Sequence, residues 1–356
     1  MKRLFFSTIL LIGTFFSALY SQSAALPVSK KSIFTFLENE GPLPVTIVAD
    51  FQEIIVNKNK IDDYLEGELR INRDGATPVE MPVKLKPRGK FRRKVCDFPP
   101  LKLKFRKKDL AQMDLDTFNN LKLVTHCKDE VNDDDEALLR EYLAYKMFNR
   151  LTGASFRVQL LNVTYVDKSG QRAPETRLAL LIEDDEELAH RLGGSVCECF
   201  NTPAENFDSY QSALVTLFNY MIGNPDFDAT MLRNMKIIQP LQGGAFKMVP
   251  YDFDFSGFVH PSYIKGYSTS WLKEARENVN LGAPVSEAET ALLKSHFLEN
   301  KDYFFQLLKE DKMLSKKTKR RLSGYLDSFY DELEQSAILP AGAIPASATL
   351  RAADAR

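Results

Sequence analysis

Residues 202–254 constrain this chain more than any other stretch. Thr202-Pro203-Ala204-Glu205 has the form of a capping box with proline at the first helical position, which predicts a helix start. Phe207, Tyr210, Leu214, Leu217, Phe218 and Met221 then recur at three- and four-residue steps, the apolar face of a buried helix. Gly223 and Asn224 end that helix and Pro225 forbids its continuation, so Asp226 falls on a tight loop just past a rigid element. Two strand-like runs follow, Met235-Lys236-Ile237-Ile238 and Phe246-Lys247-Met248-Val249, joined by a glycine-containing loop of hairpin type. The second run ends at Tyr251-Asp252-Phe253-Asp254. Helix, loop carboxylate, an amide at Asn234, hairpin and paired carboxylates thus arrive in that order.

Such groups suit phosphoryl transfer. Magnesium takes hard oxygen ligands, one or two carboxylates with an amide, and Asp252, Asp254 and Asn234 are the candidates for it. A hydroxyl that attacks phosphorus needs an acceptor to orient it, and Asp226 is the candidate for that role. The plain alternative is that Asp226 caps a turn and the other two are ordinary loop carboxylates.

A chain of 356 residues with 44% hydrophobic and 27% charged residues can bury one large two-lobed core or two domains, which excludes global disorder. A net charge of −1 argues against a dedicated nucleic-acid binder. Met1-Lys2-Arg3 followed by an apolar run to Leu19 and small residues at Ser21, Ser23, Ala24 and Ala25 predicts a signal peptide and export to the periplasm or beyond. An uncleaved anchor is the alternative for that run; no other stretch reaches membrane length. In an oxidising compartment Cys96 and Cys127, at strand-adjacent positions, are the expected disulfide. Cys197-Glu198-Cys199 is too short for a zinc ribbon, and metal binding is not expected there.

Residues 45–49, 67–71 and 83–86 alternate as strands of an antiparallel sheet, with a turn at Asn72-Arg73-Asp74-Gly75. Leu101-Lys102-Leu103-Lys104-Phe105 alternates too, placing Lys102 and Lys104 on one face. Between them, Arg88-Gly89-Lys90-Phe91-Arg92-Arg93-Lys94 is a basic glycine loop, either a phosphate-closing loop or a solvated basic hairpin. A helix from Asp133 to about Leu151 places Glu141 in the line Leu138, Glu141, Tyr145, Phe148, where a core should be. A buried carboxylate there needs a partner, Lys102 or Lys104, unless it reaches the helix edge or pairs along its own helix. Residues 158–166 and 177–182 predict another hairpin, running into the acidic 183–187 segment that suits a hinge. Two helical patterns, about 286–309 and 316–335, precede an Ala/Pro-rich end expected to be disordered.

These motifs resemble the CotH-like (spore-coat protein H) atypical protein kinases, over roughly residues 83–257. The likeness is carried by Arg88-Gly89 before Leu101-Lys102-Leu103-Lys104-Phe105, by Leu138-Leu139-Arg140-Glu141-Tyr142, by Ile182-Glu183-Asp184, by Gly223-Asn224-Pro225-Asp226, by Asn234 and by Tyr251-Asp252-Phe253-Asp254. The resemblance implies an α+β, two-lobed protein-kinase-like fold, with an antiparallel β-rich N-lobe holding one key helix and a mostly helical C-lobe. Its expected divisions are a signal peptide at 1–23, a linker at 24–42, the N-lobe at 43–183, the C-lobe at 184–335 and a tail at 336–356. It implies ATP and magnesium or manganese as cofactors and a protein hydroxyl as acceptor. Asp226 would be the catalytic aspartate, and Asn234, Asp252 and Asp254 the metal side. Lys102 or Lys104, paired with Glu141, would meet the nucleotide together with Arg88 and Glu183. This chain departs from the family in the wider spacing of Asp226 and Asn234 and in Lys90-Phe91 where serines are usual. A non-catalytic pseudokinase that holds an anionic partner and a magnesium-dependent phosphoesterase are the competing functions.

Overall fold

Strand β1 (Leu43–Ala49) buries Leu43, Val45, Ile47 and Ala49 and leaves the residues between them less buried, the period of a strand with one face on a core. The same alternation runs through β2 (Leu65–Ile71), β3 (Val79–Pro87), β4 (Leu101–Lys104) and β5 (Asn120–Val124), then through the hairpin β6 (Val158–Asp167) and β7 (Glu175–Ile182). The computed structural model describes residues 30–73, 75–129, 131–263, 275–277, 279, 286–335 and 338; from Lys31 on they belong to one compact unit. The expected leader, most of the tail and residues 264–274 lie outside the described residues.

The expected two-lobed kinase-like fold with an antiparallel β-rich N-lobe is not what forms. Seven strands close into a barrel in the order β1-β2-β3-β4-β5-β7-β6. The closing pair is parallel, Leu43–Ala49 of β1 on Leu161–Asp167 of β6 in continuous register. Closure removes the sheet edges and lets Val45, Ile47, Leu103, Leu121, Val163 and Leu181 share one apolar interior. Residues 33–37, expected within a linker, form helix α1 (Ile33–Leu37), because Ile33, Phe34 and Leu37 fill that interior.

Small helices decorate the barrel: α2 (Phe51–Val56), α3 (Arg92–Val95) and α4 (Lys107–Gln112). The expected disulfide forms, joining Cys96 at the end of α3 to Cys127 beyond β5; the sulfurs of Cys197 and Cys199 are also bonded. The long helix α5 (Val131–Leu151) packs on the outer faces of β6 and β7 through Leu143, Met147 and Leu151. In the acidic 183–187 segment Asp184 caps helix α6 (Asp185–Arg191).

The remaining helices gather toward the C-terminal part around a second core. Helix α7 (Ser209–Ile222) starts later than the Thr202 capping pattern predicts. Residues 204–206 make only a 3-10 turn, and Asp208 instead accepts the amide of Gln211 as the true cap. Strands β8 (Gly194–Cys197), β9 (Met235–Pro240) and β10 (Lys247–Pro250) form a small sheet in the order β10-β9-β8, with β9 and β10 the expected hairpin. Helices α8 (Glu287–Glu299), α9 (Lys301–Glu310) and α10 (Lys316–Glu334) complete the core, splitting the first of the two expected helical patterns at Asn300.

Candidate functional site

Helix α7 ends as its sequence dictates. Gly223 takes the left-handed conformation, and a Cβ there would meet the hydroxyl of Tyr325. The loop beyond is tied back to the helix by buried amides. Asn224 Nδ2 donates to Asn219 Oδ1 at 2.8 Å, and the Asp226 amide donates to Asn224 Oδ1 at 3.2 Å. Asp226 is thereby fixed on a rigid stem. Asn234 Nδ2 donates to both the carbonyl and Oδ2 of Asp226 at 2.9 Å, and Arg233 Nε approaches Oδ1 at 3.1 Å. Asp228, between them, uses its carboxylate to close the loop onto Thr230 and Met231.

The β9–β10 hairpin delivers the second carboxylate. The amide of Tyr251 donates to the carbonyl of Asn234 at 3.0 Å, locking the exit of β10 to the Asp226 loop. Asp252 then adopts φ 64°, a left-handed conformation uncommon outside glycine, and its amide donates to the buried hydroxyl of Tyr145 on α5 at 2.8 Å. Asn234, at φ 48°, is left-handed as well. With Leu232 at φ 53° in the same loop, three left-handed non-glycine residues mark a place where side-chain direction outweighs local backbone preference.

Behind Asp252 lies a buried charged cavity. Asp254 is 3% exposed and accepts the Tyr263 hydroxyl at 2.7 Å; Glu141, from α5, is 2% exposed and its Oε1 has no partner. Burial, with Asp252 beside it, pushes the Asp254 carboxyl up to about 7. Glu141 is raised well above the ordinary range by burial and then by Asp254 and Asp252. Asp226 is raised too, first by burial and further by Asp252, against the lowering pull of Arg233. These mutual shifts indicate excess negative charge at close range. Arg92 and Arg88 are the cations that offset it at Glu141. Among the described residues no three His, Cys, Asp or Glu side chains converge at metal-ligand spacing. The orphaned Glu141 oxygen and the raised Asp254 nevertheless fit a site that gains from a cation.

The lysines fall elsewhere than the sequence suggests. Lys102 and Lys104 are on the outer face of β4, opposite Lys86 and Lys84 of β3, and Lys104 lies over the ring of Tyr64 at 5.4 Å. Neither forms an ion pair with Glu141. The lysine that reaches the site is Lys122 on β5, the register partner of Lys102. It contacts Asp185 Oδ1, lies 4.6 Å above the Phe156 ring and 5.4 Å from that of Tyr251, and burial lowers its basicity. Asp185 also receives Lys236 of β9 at 3.1 Å, bridging barrel and hairpin. The alternation Leu121-Lys122-Leu123 was the available signal, identical in kind to that of residues 101–104.

Glu183 is a structural group: fully buried, it accepts from the Arg157 amide at 2.9 Å, from Arg157 Nε at 2.7 Å and from Arg191 at 2.6 Å. Asp226, Asn234, Asp252, Asp254 and Glu141 therefore come together, with Arg88 close enough to act on the charges of Glu141, Lys122 and Tyr145, while Lys104 and Glu183 do not join them.

Neither a protein-family model nor a curated protein sequence matches this chain, so the CotH-like resemblance extends no further than the motifs that carry it. Among solved structures the chain is similar to the Helicobacter pylori proinflammatory kinase CtkA. The two are 9% identical, the match covers 62% of this chain and 92% of that one, and the TM-score is 0.35. A likeness that weak carries no assignment, and the case for any activity rests on the chemistry of the site.

Proposed function

We propose that the protein is a phosphotransferase, moving the terminal phosphoryl group of ATP to a hydroxyl of an acceptor protein. The observation that carries this reading is the convergence of Asn234 on Asp226 with Asp252 turned out from β10 beside them. Asp226 orients the incoming hydroxyl and takes its proton as the new oxygen–phosphorus bond forms and the bond to the ADP oxygen breaks. Lys122, with Arg88 nearby, offers cations to the phosphates. Asn234, Asp252 and Asp254 would hold magnesium or manganese, which supplies charge neutralisation at the phosphate oxygens. Export, expected from residues 1–23, would place this reaction outside the cytoplasm; no helix among the described residues is long and apolar enough to cross a membrane.

A non-catalytic nucleotide-binding reading is favoured by one detail: both carboxylate oxygens of Asp226 are engaged, by Asn234 and Arg233. Two variants decide. Asp252→Ala should lose the magnesium-dependent thermal stabilisation by ATP together with phosphate transfer. Asp226→Ala should keep that stabilisation and lose transfer by ~10²–10⁴-fold. A parent protein stabilised by Mg·ATP that transfers nothing would support the binding reading, and hydrolysis of phosphate esters would make water the acceptor.

A further inference from the structure

Residues 92–95 are a short helix in a loop, yet five separate contacts hold it. The Cys96–Cys127 disulfide ties its end to the segment after β5. Lys58 Nζ donates to the carbonyl of Cys96 at 2.6 Å and Lys128 Nζ to that of Val95 at 2.7 Å. Arg93 Nη2 reaches the carbonyl of Ile61 at 3.1 Å. Finally, Phe91 at its start sets its ring 5.3 Å from that of Phe255, in the turn that follows Asp252. A loop fastened this firmly is positioning something.

What it positions is Arg92. This guanidinium is 8% exposed, donates to the carbonyl of Thr125 at 2.7 Å and lies 5.5 Å over the Tyr263 ring. It lines the same small cavity as Glu141, Asp254 and Tyr263. Arg92 Nε and Glu141 Oε1, a donor and an acceptor, are both buried in it without a partner. Burying an arginine costs several kcal/mol unless opposite charge surrounds it, and Asp254, Glu141 and Asp252 supply that charge. Neither expected lysine does so, and Lys122 pairs with Asp185 rather than with these carboxylates.

We propose that Arg92 is a positioning residue for the carboxylate site: from the stapled helix α3 it faces Glu141 and Asp254 across the shared cavity and lies over Tyr263, which bonds Asp254. The proposal deepens the phosphotransferase reading: Arg92 touches no reacting atom but sets the carboxylates that meet metal and nucleotide. An arginine serving only as a plug hydrogen-bonded to Thr125 would look the same in a simple stability assay, so the test is a coupling.

The variants Arg92→Met, Glu141→Gln and Asp254→Asn, singly and combined, are unfolded thermally without ligand. Arg92→Met should lower the melting temperature in the parent, and this loss should largely disappear once Glu141 and Asp254 are neutral amides. An equal loss in both backgrounds overturns the proposal. Should Arg92→Met fail to fold, the neutral and polar Arg92→Gln run through the same cycle decides it by the same criterion. In a second arm, Arg92→Met should weaken binding of Mg·ATP roughly 10–100-fold, the usual scale for groups that orient metal ligands, and unchanged affinity counts against it. If the parent binds no Mg·ATP while the ligand-free coupling is present, the phosphotransferase reading fails and the positioning role stands.

Discussion

Two corners of this molecule bury a glutamate, and they treat it in opposite ways. At the start of α6, Glu183 is enclosed by Arg157 and Arg191, so that both of its oxygens face donors. At the seam between α5 and the turn after β10, Glu141 has an unpartnered oxygen and two carboxylates as its main electrostatic neighbours. The first arrangement is a closed account of charge, whereas the second leaves a negative surplus inside the protein. A fold tolerates such a surplus only where some other requirement holds the groups together. That difference, more than burial, separates a carboxylate that serves the fold from one that serves a site.

The largest effect should come at the satisfied corner. Glu183→Ala would remove the carboxylate that Arg157 and Arg191 share and open the end of β7 where α6 begins. Breaking such a buried pair costs about 3–5 kcal/mol. Urea unfolding of the parent and the variant measures it. A cost below ~1 kcal/mol would erase the contrast between the two corners.

The sequence separates these two glutamates poorly. Glu183 sits in a run of five acids that reads as a solvated hinge, and only the distant Arg157 and the later Arg191 reveal it as a core group. Glu141 does stand out, because it interrupts an apolar stripe on a helix. Its cation is hidden, since Arg92 is one of several basic residues in a loop and nothing local distinguishes it. Asp226, Asn234 and Asp252 are legible because glycine, proline and strand ends punctuate the chain around them. The pairing of β1 with β6 has no such mark. Barrel closure joins Leu43 to Leu161, and alternation along each strand is the same in an open sheet as in a closed one. The Thr202 cap fails for a related reason, because Asp208 offers an equally good cap closer to the buried face of α7.

A third buried group tests whether neutrality, rather than pairing, can satisfy the interior. His126 lies at the barrel end among Phe98 and Tyr165, with neither ring nitrogen hydrogen-bonded and Glu175 Oε1 3.8 Å from Nε2. Burial, with Arg177, Arg92 and Arg172 nearby, lowers its pKa to about 3. In the unfolded chain the imidazole titrates near 6.5, so below that pH the unfolded state binds a proton that the folded state refuses. Stability must therefore fall as pH drops from about 6.5 toward 3, by about 1.4 kcal/mol per pH unit from this group, roughly 2 kcal/mol at pH 5. His126→Phe should keep the aromatic packing and remove that part of the acid limb. Urea midpoints of both proteins at pH 7 and pH 5 give the difference directly. Parallel curves would mean that the histidine is protonated in place.

The smallest effect on stability should be the most informative. Glu141→Gln removes an ionisable carboxyl from a cluster whose members raise one another's pKa, while retaining the size of the side chain. Two terms oppose. Loss of the attraction to Arg92 destabilises, and relief of the repulsion from Asp252 and Asp254 together with the desolvation of the charge stabilises. Because burial and the two carboxylates dominate, the net change should lie within about 1 kcal/mol of zero, or be a gain. The same substitution should nonetheless weaken the stabilisation by Mg·ATP, since the amide no longer contributes to the charge that a cation would meet. A glutamate built for the fold shows the reverse order, a large loss on unfolding and no change with ligand. If Glu141→Gln costs as much as Glu183→Ala and leaves the response to Mg·ATP intact, then both corners are structural, and the surplus charge beside Asp252 needs another explanation.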